Sequence, residues 1–287
     1  MANTLEYAKV FNTNLDKAIE QSAKTAWMEA NASRVKYNGG NEFKIAKIGL
    51  DGLTDYDRAD GFATGAVTLD WETKQFKYDR GRKFRIDAMD VDETNFVVDA
   101  STVLGEFTRV EAAPEIDMVR IAELAGYGTE LEANAKGALA TLKDAVVEIR
   151  DLGYEGQLVA HVTYNFFRGL EDAMAGQLGT INVDGIDFPA LEDVALIPTV
   201  SSRMVSAVKK DGNKAIVKGD EAKDLDLIIT GFDVPLGIVK HNVTKVITPE
   251  VNQEADAYDI HYRNYHTLEV EDNKADAILF VEATPVI

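Results

Sequence analysis

"YDRGRKFRIDAMDVDET", residues 78–94, sets Arg80, Arg82, Lys83 and Arg85 against Asp87, Asp90, Asp92 and Glu93, with apolar side chains threaded between them. Two readings compete for this stretch. Clustered carboxylates can hold a metal or attack an electrophile, whereas alternating charges can belong to a strand whose partners sit on another subunit. The flanking sequence decides between them.

On the N-terminal side, "GAVTLDWETKQFKYDRGRKFRID" alternates over most of its length, with Val67, Leu69 and Trp71 on one side and then Phe76, Tyr78, Phe84 and Ile86. Period-two alternation predicts strands, and residues 35–87 read as a long β-hairpin or ribbon, with "ETKQ" at 72–75 as its candidate turn. That turn has neither Gly nor Asn, so it lacks the chemistry of a tight two-residue connection. A two-stranded ribbon is marginal alone and needs something to lie against. Its extent points to a partner chain.

On the C-terminal side, residues 93–125 turn helical, with Phe96, Val97, Leu104, Phe107, Val110, Ile116, Val119 and Ile121 among charges. Pro114 cannot donate a backbone hydrogen bond, which predicts one long bent helix or two in tandem. The acids at 90–94 then form the helix start, where negative charge complements the dipole, with Asp92, Glu93 or Thr94 as cap.

Further out, Leu15, Ile19, Ala23, Trp27 and Met28 lie at helical spacing within residues 12–31, an amphipathic arm whose apolar stripe could cover its own subunit or a neighbour. "LEANAKGALATLKDAVVEIRDLG" reads as a helix closed by Gly153, and "QLVAHVTY" at 157–164 as a strand. "NFFRGLEDAMAGQ" is a helix capped by Asn165, "VALIPTV" at 194–200 a strand, and "SSRMVSAVKKDGNKAIVKGDE" a loop. The last third, with "LDLIITGF", "PLGIVKHNVTKVITP", "AYDIHYRNYHTLEVEDN" and "ADAILFVEA", is dominated by strands. The result is an α+β chain without internal repeats or low-complexity linkers, so its domains interleave.

Composition narrows the chemistry. The 287 residues are 46% hydrophobic, enough for a substantial core, and the absence of cysteine removes disulfides, thiolate catalysis and iron–sulfur clusters. A net charge of −19 argues against sequence-independent DNA binding, and fits either plain solubility or a surface that sits beside nucleic acid without adhering to it. The N-terminus has no secretory pattern and no apolar run is long enough to span a membrane, so a soluble, cytoplasmic product is expected.

No strong catalytic signature is present. "DVDET" has the D-x-D-x-T spacing of aspartyl-nucleophile phosphatases, but that chemistry wants a buried apolar strand before it, and "RGRKFRID" is heavily charged. His161, His241, His261 and His266 contain one pair five apart and no metal-ligand spacing. Phosphate loops, dinucleotide fingerprints and nucleophile elbows are absent. The residues point to a structural role.

The order of amphipathic N-terminal helix, charged ribbon, "DRGRKFRIDAMDVDET", long helix with "FTRVEAAPEID", α/β middle and closing strands resembles the major capsid protein of tailed bacteriophages. That fold is named after phage Hong Kong ninety-seven. The likeness runs over essentially the whole chain, and its most specific pieces are the junction at 78–94 and the run of Tyr262, Arg263, Tyr265 and His266 before "EVEDNKADAI". It implies an N-arm at 1–34 and an extended β-hairpin E-loop at 35–88. A P-domain follows, with the long spine helix at 89–128 and returning C-terminal strands at 241–287 that complete its β-sheet, and an α/β A-domain fills 129–240. The loop at 201–222 would sit near a capsomer symmetry axis.

The resemblance further implies a shell of pentamers and hexamers enclosing double-stranded DNA in a virion assembled in the host cytoplasm. It implies no catalytic, cofactor or metal residues. Trp71, Phe76, Tyr78, Arg80, Arg82, Arg85, Asp90, Asp92 and Arg263 are the expected subunit-interface residues. No long scaffold-like segment precedes the arm and no protease is encoded in cis; if 287 residues are the full product, a separate scaffolding protein is expected, together with portal and head-completion proteins. Two alternatives remain beside it: the shell of a non-viral, encapsulin-like nanocompartment, and an acidic metal-dependent phosphatase using Asp90 and Asp92.

Overall fold

The structure is a computed structural model that describes residues 23–56, 58, 62, 64–89, 100–175, 177–212 and 215–283. Asp90, Asp92, Glu93 and Thr94, and the arm before residue 23, lie outside the described residues.

The strands that read as continuous apolar runs form the centre of a seven-stranded sheet. In chain order these strands are β5 (Thr129–Glu130), β6 (Leu158–Thr163), β7 (Gly179–Val183), β8 (Ile186–Leu191), β9 (Val194–Thr199), β12 (Leu225–Gly231) and β15 (Ile278–Glu282). They lie in the order β5-β15-β12-β6-β9-β8-β7. Every residue of β6 is buried, as expected of a strand covered on both faces. β6 and β9 run parallel, and α4 (Tyr164–Ala173) with the β7–β8 hairpin makes the crossover between them. Helix α3 (Ala138–Asp151) covers this sheet with Leu142, Ala145 and Ile149.

Local signals are confirmed here with three adjustments. Gly153 closes α3 at φ +89°, its N–H bonded to the Arg150 carbonyl, but the helix starts only at Ala138, because Gly137 before it sits at φ +103°. The cap of α4 is Thr163 and not Asn165: the Thr163 hydroxyl accepts from the Phe166 N–H at 3.3 Å. Within the stretch expected to be a loop, a short hairpin forms from β10 (Val208–Lys210) and β11 (Ile216–Lys218).

A second sheet, β13-β14-β4, is built from β13 (Pro235–Ile247), β14 (Ala257–Val270) and β4 (Tyr78–Asp87). The long helix packs on one face of it. This helix runs as α1 (Ala100–Phe107), a π-helical turn (Thr108–Ala112) and α2 (Ala113–Tyr127). Pro114 explains the π turn: it has no N–H for an i−4 carbonyl, and the Ala113 N–H reaches back five residues to the Thr108 carbonyl just before it. Helix and sheet share a core of Leu104, Ala112, Ile116, Ile260 and Tyr262, with Phe84, Ile86 and Phe107 against it. Phe107 meets both Phe84 and Tyr262 edge-on, at 4.9 and 5.5 Å.

The third sheet, β1-β2-β3, is the ribbon: β1 (Val35–Gly39), β2 (Glu42–Leu50) and β3 (Val67–Gln75). Three expectations are corrected by these pairings. "ETKQ" is the end of β3 and not a turn, since Glu72 pairs with Ile45 and Gln75 with Glu42. β4 is not the returning strand of the ribbon; it crosses through Phe76 and Lys77 into the second sheet and pairs with β14 from Asp87↔Ala257 to Tyr78↔His266. Of the closing strands, β15 joins the seven-stranded sheet beside β12 and not the sheet of β13 and β14.

Residues 26–34 form a 3-10 helix, where an α-helix was expected up to residue 31. Trp27 and Met28 are buried in the main core of their own chain. Gly237 permits that close approach, because a Cβ there would lie 3.1 Å from the Met28 backbone.

Candidate functional site

The side chains of the opening stretch divide by strand parity. Tyr78, Arg80, Phe84 and Ile86 face the long helix, and Asp79, Lys83 and Arg85 face the other way. On the helix side, Arg80 grips Glu115 of α2 through Nε and Nη2 at 2.5 and 2.8 Å. The Tyr78 hydroxyl donates to Glu123 at 2.6 Å, and its ring stacks on buried His266. Burial, reinforced by the Glu123 carboxylate, raises the Tyr78 phenol well above its ordinary pKa.

On the opposite face, Arg85 donates twice to Asp259 at 2.7 and 2.9 Å and once to Glu254 at 2.8 Å, while Lys83 reaches Asp259 at 2.8 Å. Arg85 first, and then Lys83, hold the Asp259 carboxyl well below the usual carboxylate range. Arg263 makes a two-pronged contact to Asp79 at 2.8 and 2.5 Å. The basic half of the stretch thus finds its partners within the chain, on strands and a helix far away in sequence. Arg82 is exposed. Asp90 and Asp92 lie outside the described residues.

Phe76 is only 6% exposed, packed among Phe43, Ile45, Leu236 and Ile238 where the ribbon meets β13. It anchors the ribbon's base and is not available as a contact surface. Lys240 lies over Phe76 and Tyr265, at 5.5 and 5.7 Å from their ring centres.

Beyond that anchor, no described residue outside the ribbon and its loop covers its apolar side chains. Val67, Leu69 and Trp71 are 72%, 54% and 44% exposed, and Leu50, paired with Val67, is exposed beside them. The connecting loop adds Leu53, Tyr56 and Phe62, with the Tyr56 and Phe62 rings edge-on at 5.0 Å. Asp51 closes that loop, accepting from the Ala66 N–H at 2.7 Å. Apolar side chains concentrated on one exposed ribbon mark an interaction surface. Alternation exposed this face in the sequence; what was missed is that only the distal half is free.

A second feature was not legible. Asp117 and Arg120 of α2, both buried, hold the N-terminal segment: Asp117 accepts from the Lys24 and Thr25 N–H groups, the Thr25 hydroxyl and Arg203, and Arg120 donates to the Thr25 carbonyl and Glu29. Two charges three apart on a helix read as an ordinary solvated face, and their partners lie more than eighty residues away.

Among the described residues no group of three or more acidic or histidine side chains is placed to hold a metal ion, and no helix is long and apolar enough to cross a membrane.

No protein-family model matches the chain, and no curated protein sequence does. Solved structures do. A chain of the bacteriophage PhiM1 mature capsid matches with a TM-score of 0.60 at 11% identity, covering 87% of this chain and 84% of its own. A chain of Mycobacterium phage Che8 matches at 0.57 and 14%, covering 85% of each. A virus-like particle from Pyrococcus furiosus matches at 0.52 and 12%, covering 96% of this chain and 100% of its own. At such identities the likeness is one of fold: the chain has the architecture that these three chains share.

Proposed function

We propose that this chain is the major capsid protein of a tailed phage, assembling with copies of itself into the closed icosahedral head that holds the packaged double-stranded DNA. The observation that carries this is the distal ribbon. A protein with a complete core elsewhere projects Val67, Leu69 and Trp71 of β3, beside Leu50 of β2, and no described residue of the chain buries them. A second copy is the surface that covers them. Contacts of this kind are heterologous, and they close into rings when the rotation between copies is right. Each contact is modest, and the shell's strength comes from their number.

In the vocabulary of the fold, the ribbon from Val35 to Phe76 serves as the E-loop. β4, the long helix, β13 and β14 form the P-domain, and the seven-stranded sheet with α3 and α4 forms the A-domain. Trp71, with Leu69 and Val67, is then the apolar interface contact, and exposed Arg82 and the Arg263–Asp79 pair set register between copies. The net charge of −19 suits a container, since a wall that repels phosphate lets DNA be packed without adhering. On this reading the protein is a virion component and not an enzyme, and it works with a separate scaffolding protein, a portal and head-completion proteins.

Negative-stain imaging of the purified chain, expressed alone and with its neighbouring gene products, tests the proposal. Rings or shells are expected. A monodisperse monomer under every combination would overturn it.

A further inference from the structure

Asp117 is a meeting point of two segments far apart in the sequence. Its Oδ1 accepts from the Thr25 N–H at 3.0 Å and the Thr25 hydroxyl at 2.7 Å, and its Oδ2 from the Lys24 N–H at 3.1 Å and from Arg203 at 2.8 Å. The carboxylate is fully buried, so Arg203 is the counter-charge that makes its burial tolerable.

Arg203 stands at the base of the β10–β11 hairpin. The residues after it are tied to the chain that leaves the hairpin: the Leu225 N–H donates to the Met204 carbonyl at 2.9 Å, the Ser206 N–H to the Lys223 carbonyl at 3.0 Å, and the Gly219 N–H to the Ala207 carbonyl at 3.0 Å. Movement of Arg203 is therefore passed to the hairpin as a unit.

A second link joins the same two segments. The Trp27 indole N–H donates to His161 Nε2 at 3.2 Å. An indole nitrogen can only donate, so Nε2 is bare and the imidazole proton sits on Nδ1, 3.2 Å from the Thr199 hydroxyl, which in turn donates to the Ile197 carbonyl. Thr199 ends β9, from which the chain runs directly into residues 200–205. Trp27 and Met204 belong to the same apolar core.

We infer that Asp117 couples the N-terminal segment 24–29 to the base of the β10–β11 hairpin, so that displacing either one loosens the other. The device needs no assembled shell and does not rest on the proposed function. Removing Arg203 leaves a buried carboxylate without its counter-ion, which weakens the grip on Lys24 and Thr25. Pulling Thr25 away removes Asp117's shortest hydrogen bond and lets water reach the Arg203 pair. The effect must run in both directions, because a coupling free energy is reciprocal.

Hydrogen exchange on the full chain tests this with two variants. Thr25→Val should speed exchange at the amides of Ser206, Gly219 and Leu225 by about tenfold, the loss expected on weakening a charged hydrogen bond. Arg203→Met should do the same to the backbone amides of Lys24, Thr25 and Met28. Amides of β6 and β12, which report on the core, should stay protected in both. If each variant accelerates exchange only on its own side, the two segments are independent and the inference is wrong. Should Arg203→Met unfold the sheet, Arg203→Lys, which keeps the charge but not the guanidinium's reach, is judged by the same amides.

Discussion

Arg80 on β4 and Glu115 on α2 are joined by two parallel hydrogen bonds at 2.5 and 2.8 Å, half-buried between sheet and helix. The pair fastens the long helix to the strand that leaves the ribbon, so Arg80, expected at a subunit boundary, also holds the fold of its own chain. Arg82, two residues on, is exposed.

These two arginines should therefore separate on charge reversal. Arg80→Glu sets two carboxylates against each other and should cost about 2 kcal/mol of unfolding free energy. The swap Arg80→Glu with Glu115→Arg should recover much of that loss. Arg82→Glu should leave stability within about 0.5 kcal/mol, as exposed substitutions do, and act on assembly alone. Urea unfolding of the three variants decides it; equal losses for Arg80→Glu and Arg82→Glu would show that the pair does not hold the fold.

Truncating the exposed ribbon face should have the opposite profile to a core change. Leu69→Ala with Trp71→Ala removes little buried area from the isolated chain, so its unfolding midpoint should stay close to that of the unaltered protein. Self-association, read by size-exclusion chromatography, should fall sharply. Phe76→Ala, at the ribbon's anchored base, should instead cost about 3 to 5 kcal/mol in the isolated chain.

Two histidines make the core sensitive to acid. Burial first, then the nearby Lys24 charge, pushes His161 down to about 3, and burial, then Arg120 and Arg80, does the same to His266. In the unfolded chain both titrate near the ordinary histidine value of about 6.5. The unfolded state thus binds more protons between these limits, and stability falls as pH drops from about 6.5 towards 3. At pH 5 each histidine should account for about 2 kcal/mol of the loss relative to pH 8, at 1.36 kcal/mol per pH step below 6.5. His161→Gln should flatten this part of the curve; a profile of unchanged slope would mean that His161 is protonated in the folded chain.

How far the sequence alone reached follows from how local each signal was. The long helix, its disturbance at Pro114 and the buried strands of the α/β middle are written in short windows, through periodicity, a proline and continuous apolar runs. The pairing of β4 is not. Its ten residues alternate in a way that suits either the ribbon or the second sheet, and the choice is made by Asp259, Arg263 and the aromatic residues of β14, more than 170 positions downstream. For the same reason Arg80 and Arg85 looked like charges awaiting another subunit. The Asp117 network was invisible because its significance lies wholly in burial, which a helix face with mixed polarity does not announce.

Sedimentation velocity of the purified, unaltered chain over a rising concentration series tests the central claim most directly. The account predicts discrete fast-sedimenting species, rings of five or six copies or closed shells, which the Leu69→Ala with Trp71→Ala variant fails to form. A single species at the mass of one chain throughout the series, unaffected by that variant, would contradict it.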